Sequence, residues 1–471
     1  MKSRPSLILA FIFAVECTGV KYSFADGQEK PAPMDWSNFH GPLGNGTSSE
    51  KGLRREWPAN GPDVLWRVPI KPGWSSPVVV DNDLYVCATE EPRGTAETIA
   101  CLNAKTGEQR WSLTYDVGPY WEKNIGWARG GFRSTPCVWG DRLYTIGAIG
   151  HCHCLDRHSG KVLWKKNLWD TFNPSGEKGY SFSPIIAEGK LLLWYGDGAS
   201  DASRGLDADR ETAGFDVIFQ ALDPMTGEVA WTFREPHRRP ARMGEGQTPS
   251  IAEFAGDLCA VISANCELKA LRIRDGREVW KFPVVRPDAR GTTIPSPLIL
   301  DRHILNLGDN DGSSLVTVDR KFPEQPATTL WKKDLETYCG VHQFRHHNGY
   351  LYGFTGEIRG ADEQVASESM LNLTCLELAT GKVIWSEPGY RAGVALTLAD
   401  GLLFVRSYQR LRLIEANPEG CRVRGDVKTH DVWKPTLNLL DFVQPVLSRG
   451  RLYVRTPAEL ICYQVGPGSG F

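Results

Sequence analysis

At 471 residues and a formal net charge of −2, the chain lacks the basic excess that nucleic acid or an anionic membrane surface would select. Its 41% hydrophobic content, with no low-complexity tract, excludes a disordered chain. The length suits two or three ordinary domains or one large β architecture, and no Pro/Gly-rich linker divides it.

The N-terminus carries Lys2 and Arg4, an apolar run LILAFIFAV (7–15) and the small-x-small triplet Ser23-Phe24-Ala25. That order predicts a secretory signal over 1–25, cleaved after Ala25. Lipidation at Cys17 fits less well, because Glu16 precedes it. The apolar run is shorter than a membrane span, and no later segment is apolar enough to be one. The expected location is therefore the periplasm or the cell exterior. Residues 26–63 read as an N-terminal extension.

Strand signals begin with VLWRVPI (64–70), followed by SSPVVVDNDLYVCA (75–88), STPCVWGDRLYTIGA (134–148) and SPIIAEGKLLLWYG (183–196). Each of the last three holds β-branched and aromatic residues around a central turn. Between and after them an eleven-residue phrase recurs five times: CLNAKTGEQRW (101–111), CLDRHSGKVLW (154–164), ALDPMTGEVAW (221–231), ALRIRDGREVW (270–280) and CLELATGKVIW (375–385). A small residue opens each copy, Gly stands seventh and Trp closes it. The Gly suits a turn with positive φ. The small residue suits close sheet packing, and the Trp can bury about 200 Å² against a neighbouring sheet.

Four strands per unit of roughly 40–50 residues predict propeller blades. The Trp series runs Trp66, Trp111, Trp164, Trp231, Trp280, Trp331 and Trp385. Trp331 ends a unit whose turn has become KFPEQP. A seventh unit, from ALTLADGLLFVRS to about Val427, keeps its strands and lacks the Trp. An eighth, VQPVLSRGRLYVRTPAELICYQV (443–465), stops before an outer strand, and the segment around Trp66 is available to supply it. Closure by that N-terminal strand removes a sheet edge. The expected fold is all-β, an eight-bladed β-propeller of four-stranded antiparallel blades over 64–465, with a tail at 466–471. Seven blades is the alternative if 392–427 is an embellishment.

Twelve cysteines leave eleven after cleavage, an odd number for an oxidising compartment. Cys101, Cys154, Cys375 and Cys462 fall at the small-residue position, so buried thiols are expected. Cys87 with Cys101, or Cys259 with Cys266, are candidate pairs on facing strands. In His151-Cys152-His153-Cys154, strand alternation puts His and Cys on opposite faces, against a single tetrahedral site. Asp309-Asn310-Asp311-Gly312 offers Asp309 and Asp311 as weak calcium candidates, or an Asx turn. In Arg345-His346-His347-Asn348-Gly349 a hairpin turn is expected, with solvated residues before it.

In a propeller, residues before the innermost strands and in the second-to-third-strand loops converge on one funnel. The strand openings place Trp74, Arg133, Tyr180, Gln247, Thr293, His342 and Phe442 there. The loops add Glu90, Asp197, Asn265, Asp309, Glu357, Arg406 and Tyr408. Long insertions at 114–133, 196–215, 235–247 and 356–370 enlarge the same face, and loops of this length are commonly functional.

The phrase A/C-L-D-x-x-T-G-x-x-x-W resembles the tryptophan-docking repeat of the pyrroloquinoline quinone (PQQ) propeller superfamily. That superfamily includes quinoprotein dehydrogenases and the BamB-type outer-membrane assembly propeller. The resemblance implies the fold and leaves three functions open. A BamB-like envelope scaffold would hold a protein or glycan in the funnel, through Trp74, Glu90, Asp197, Gln247, Asn265, Glu357 and Tyr408, and is expected to be monomeric. A quinoprotein dehydrogenase would carry PQQ and calcium, yet the chain has neither an adjacent Cys-Cys pair nor a C-x-x-C-H site. A polysaccharide-acting enzyme of lyase type would use His342 or Tyr180 as base, with Arg133 or Arg406 steadying a carboxylate.

Overall fold

A computed structural model describes residues 34–90, 95–118, 132–168, 180–197, 216–236, 247–264, 267–284, 296–307, 312–335, 344–356, 370–391, 393–407, 409–430 and 443–467. Every regular element among them is a β-strand. Each of eight sheets contains a four-stranded antiparallel blade. Blade 1 consists of Val78–Val80, Asp83–Thr89, Ala96–Asn103 and Gln109–Asp116, from the axis outwards. The unit at 392–427 is a complete blade 7, built from Val394–Ala399, Leu402–Ser407, Arg410–Glu415 and Val423–Lys428. Blade 8 takes Val64–Pro69 as its outer strand, antiparallel to Glu459–Gln464. The ring is thus closed by an N-terminal strand, with eight blades and not seven.

The repeat phrase performs a docking step between blades. The Trp111 indole N–H donates to the Arg157 carbonyl of blade 2 at 3.0 Å. Trp164 does the same to Pro224 at 3.0 Å, Trp231 to Ile273 at 2.7 Å and Trp66 to Ala104 at 3.1 Å. Each indole lies against the turn Gly of the next phrase. A Cβ on Gly160 would stand 2.6 Å from the Trp111 ring, and one on Gly276 2.6 Å from Trp231. These glycines therefore answer two demands at once: φ of +74° at Gly160, and room for an indole.

A β-bulge sets the Trp in place. Cys101 pairs with Trp111 while Leu102 pairs with Gln109, so Arg110 is the extra residue. The same shift recurs at Ala221/Leu222, Ala270/Leu271 and Cys375/Leu376. A bulge sharpens the local twist and re-aims the side chain beside it.

The core is divided among the seams between blades, one cluster joining Tyr85, Cys101 and Phe132 of one side to Val138, Leu143 and Leu155 of the next blade. Cysteines serve these seams as small apolar residues. All nine described cysteines are free and eight are buried, Cys421 being partly exposed. Cys87 pairs with Ile99 and Tyr85 with Cys101, so Cys87 and Cys101 are offset and carry no disulfide. Cys259 is free, and Cys266 lies outside the described residues. Burial pushes the Cys101, Cys137 and Cys152 thiols up to about 12. The eight buried thiols should accordingly resist Ellman's reagent in the native protein and react after denaturation without reductant. Native labelling of Cys137 or Cys152, located by mass spectrometry, would contradict this packing.

Candidate functional site

Eight inner strands start near the axis on one face, here the loop side, and run to the first-to-second-strand turns on the other, the turn side. At the starts, five blades are tied by one repeated hydrogen bond. The Ser76 N–H donates to Thr135 Oγ1 (3.2 Å), Thr135 N–H to Ser183 Oγ (2.9 Å), Ser183 N–H to Thr248 Oγ1 (3.1 Å), and Thr248 N–H to Ser296 Oγ (3.1 Å). The Ser/Thr-Pro pairs supply the hydroxyl, and the following Pro has no N–H to leave unsatisfied. Blades 7 and 8 place Ala395 and Gln444 at the corresponding positions.

The N-terminal extension fills the axis where this pattern stops. Trp36 pairs with Val79 through both backbone groups, at 2.8 and 2.9 Å, and Val138 N–H donates to Ser37 O at 2.8 Å. The chain then reaches inward: His40 Nε2 lies 3.1 Å from Pro249 O of blade 4, and Gln444 Nε2 donates to Phe39 O at 2.5 Å. The buried Arg345 guanidinium lies against Gly46 and donates to Gln444 Oε1 at 3.2 Å. Returning, Thr47–Ser48 adds a parallel strand to Leu398 and Ala399 of blade 7. Glu50 accepts from Arg449 N–H (2.8 Å) and Gly450 N–H (2.6 Å) of blade 8. Arg345 is 3% exposed, so the expectation of a solvated stretch before Asn348-Gly349 is wrong there; the turn itself is present, with φ of 48° and 81°.

Burial holds the His40 imidazole down at about 4, aided by Arg345 and offset in part by the Pro249 carbonyl. A histidine whose folded value lies below its unfolded one binds fewer protons when folded. Stability therefore falls as pH drops from about 6.5 to 4, by on the order of 3 kcal/mol for this residue. Urea midpoints of wild type and His40→Gln should converge across that window on acidification. A constant gap between them would contradict the assignment.

The described candidates fall into two groups. Trp74 and Arg133 meet at the blade 1–2 opening, the guanidinium carbon 4.6 Å from the indole centroid, and both are partly exposed. Nearby, Glu90 is 3.2 Å from Lys71, and the Thr98 hydroxyl, then Lys71, hold its carboxyl below the usual range against partial desolvation. Tyr180, by contrast, is 2% exposed and packs edge-on to Phe182 in the blade 2–3 core. Gln247 is buried and accepts from Ser263 N–H at 2.9 Å. Arg406 is buried at the loop-side end of Leu402–Ser407. Asp197 ends the strand Lys190–Asp197, paired with Asp216. His342, Asn265, Glu357, Tyr408, Asp309 and Asp311 lie outside the described residues.

Sequence reasoning passed over Arg455, whose guanidinium donates to the carbonyls of Ser75 (2.8 Å), Cys87 (2.7 Å) and Lys71 (3.0 Å), riveting blade 8 to blade 1. It also passed over Phe39, His40 and Gln444, and took Arg345 for a solvated residue. A signal for these was present: the Ser/Thr-Pro opening gives way to Gln343-Phe344, Ala395-Leu396 and Gln444-Pro445 in consecutive blades.

The His151–Asp156 strand alternates as expected. Cys152 and Cys154 enter the blade 2–3 core, while His151 and His153 face Tyr115 at ring distances of 5.6 and 4.5 Å. Among the described residues no three His, Cys, Asp or Glu side chains converge to hold a metal. The same residues do not fit a quinone with its calcium. The axial space at the hydroxyl ring holds Phe39, His40 and Arg345, and eight of the nine described cysteines are buried in blade packing.

Comparison with known proteins agrees with this architecture. Residues 95–387, more than half of the chain, match the family described as outer membrane protein assembly factor BamB. BamB of Shewanella oneidensis is 22% identical over 335 residues, covering 68% of this chain and 75% of that one. BamB of Burkholderia pseudomallei is 24% identical, covering 63% and 78%. Among solved structures, quinohemoprotein alcohol dehydrogenase from Comamonas testosteroni superposes with a TM-score of 0.65 at 14% identity, over 93% of this chain and 82% of that one. BamB from Moraxella catarrhalis gives 0.56 at 11% identity, over 86% and 99%. At such identities the structural likeness is one of fold. A sequence match of this extent, on a closed ring of eight blades, carries the family: the chain belongs to that of outer membrane protein assembly factor BamB.

Proposed function

We propose that this protein is a binding scaffold of the cell envelope, holding a polypeptide partner at the loop-side funnel. The observation that carries this reading is the family match over 95–387. The geometry is compatible with it. Blade docking consumes the repeat's Trp and Gly, and the chain's own residues fill the axis at the hydroxyl ring. At the funnel the described residues offer an aromatic–cation pair, Trp74 with Arg133, of the kind that anchors protein interfaces. On this reading residues 1–25 are a signal removed on export, and the mature chain works in the periplasm or outside the cell. Residues 26–63 form an extension to the propeller at 64–465, and 466–471 form a tail.

The test is a crosslinked pull-down from intact cells beside a titration with PQQ and calcium. A reproducible envelope polypeptide, with no quinone uptake at micromolar PQQ, is the expected result. Stoichiometric quinone binding with dye reduction by an alcohol, or an empty pull-down, would overturn the reading.

A further inference from the structure

We propose that the loop Trp36–Ser48 is the floor of the funnel site. It would make the axis a one-ended well and present Pro42 and Leu43 to an apolar anchor side chain of the bound polypeptide. This inference rests on the scaffold reading for the occupant, though not for the floor itself.

Both legs of the loop stand on the turn side. Trp36 pairs with Val79, close to the Asp81-Asn82 turn, and Thr47–Ser48 pairs with Leu398 and Ala399, beside the Asp400-Gly401 turn. Between the legs, the contacts climb the inner strands towards their starts. His40 reaches Pro249 O, and Phe39 O is held by Gln444 at the hydroxyl-ring level. That climb is about three residues of strand, roughly 10 Å. The chain reverses in the segment Gly41-Pro42-Leu43-Gly44-Asn45-Gly46. Gly41, Gly44 and Gly46 adopt left-handed φ of 69°, 70° and 72°, and Gly44 N–H closes the turn onto Gly41 O at 3.2 Å. Gly46 N–H then returns to His40 O at 2.7 Å.

Burial along the loop indicates which way its apex faces. Trp36 is 0% exposed, His40 1%, Thr47 7% and Ser48 6%, whereas Asn38, Phe39 and residues 42–45 are half-buried. The legs close the turn side, so the partial exposure of the apex is directed at the loop side. Asn45 turns back to accept from the Thr47 hydroxyl (2.5 Å) and N–H (3.1 Å). Pro42 and Leu43 are left as the surface of the floor. An apolar tip at the bottom of a well suits one buried anchor residue, the usual energetic centre of a protein interface.

Two arms test this. Leu43→Cys, compared with wild type to subtract native thiols, should take a small methanethiosulfonate and resist a polymer-linked maleimide. Lys51→Cys, 75% exposed on the turn side, should take both. Equal labelling of Leu43→Cys by both reagents, or by neither, would overturn the floor. In the second arm, Leu43→Arg and Leu43→Ala should keep the wild-type melting temperature. Leu43→Arg should lower recovery of the crosslinked partner about tenfold, with a smaller loss for Leu43→Ala and none for Lys51→Glu. Undiminished recovery with Leu43→Arg would overturn the anchor role. If wild type recovers no partner, the scaffold reading has failed, and the labelling arm still decides the floor.

Discussion

Lys269→Met is expected to lose about 3–5 kcal/mol of stability at neutral pH, because it strands three carboxylates beside a buried methyl group. The Lys269 side chain is 0% exposed, and its ammonium lies 2.7 Å from Glu267, 3.2 Å from Glu235 and 3.4 Å from Glu278. Burial by itself would lower its pKa, yet the Glu267 and Glu235 carboxylates outweigh that and hold it above the ordinary lysine value. Glu235 belongs to the outer strand of blade 3 and the other two to blade 4, so the cation ties one blade to the next. Removing it leaves like charges together, and their protonation relieves the repulsion. The defect should therefore shrink as pH falls towards 4.5 and be partly repaired by Glu267→Gln. Urea midpoints at two pH values measure both effects. A loss under 1 kcal/mol, the same at each pH, would show that the cluster is solvated and of little consequence.

Gly160→Ala should cost about 2–5 kcal/mol. Roughly 1–2 comes from forcing a side chain into the left-handed region, and roughly 1–3 from displacing the Trp111 ring that its Cβ would meet at 2.6 Å. Gly189 provides the control. Its φ is +63°, and a Cβ there would meet nothing within 4 Å, so Gly189→Ala should cost the backbone part alone, about 1–2 kcal/mol. Near-equal losses from the two substitutions would mean that the indole does not dock on the turn. Gly107, Gly227, Gly276 and Gly381 make the same contact with Trp66, Trp164, Trp231 and Trp331. The Gly160 result thus speaks for the way the whole ring is held.

The ring was legible because its instructions are local and repeated. A turn Gly, a small residue and a Trp at fixed offsets recur in each phrase, and even the orphan Trp66 was traceable to blade 8. The bulge beside each Trp was not, since one extra residue leaves no mark on a strand's composition. The axial loop was invisible for a different reason. Asp35 to Glu50 has no strand period, and its partners Val79, Pro249, Arg345 and Ala399 lie in four separate blades. Long-range pairing of that kind leaves its trace on the receiving side, where Ser/Thr-Pro openings become Gln343-Phe344, Ala395-Leu396 and Gln444-Pro445. The candidate site was legible as a face, with Trp74 and Arg133 meeting as a pair. It was less legible as a set of roles: Tyr180 and Gln247 open their blades at the predicted positions yet are spent on packing and on a backbone hydrogen bond. Position in a blade predicts which end a residue occupies, whereas burial decides whether it is free to act.

Site-specific photocrosslinking in intact cells tests the central claim most directly. A photoreactive residue would replace Trp74 at the funnel in one strain and Met225, 47% exposed in a turn on the opposite face, in another. A binding scaffold that works through its loop side predicts a discrete polypeptide adduct from position 74 and none from position 225. An adduct from position 225 alone, or from neither position, would contradict it.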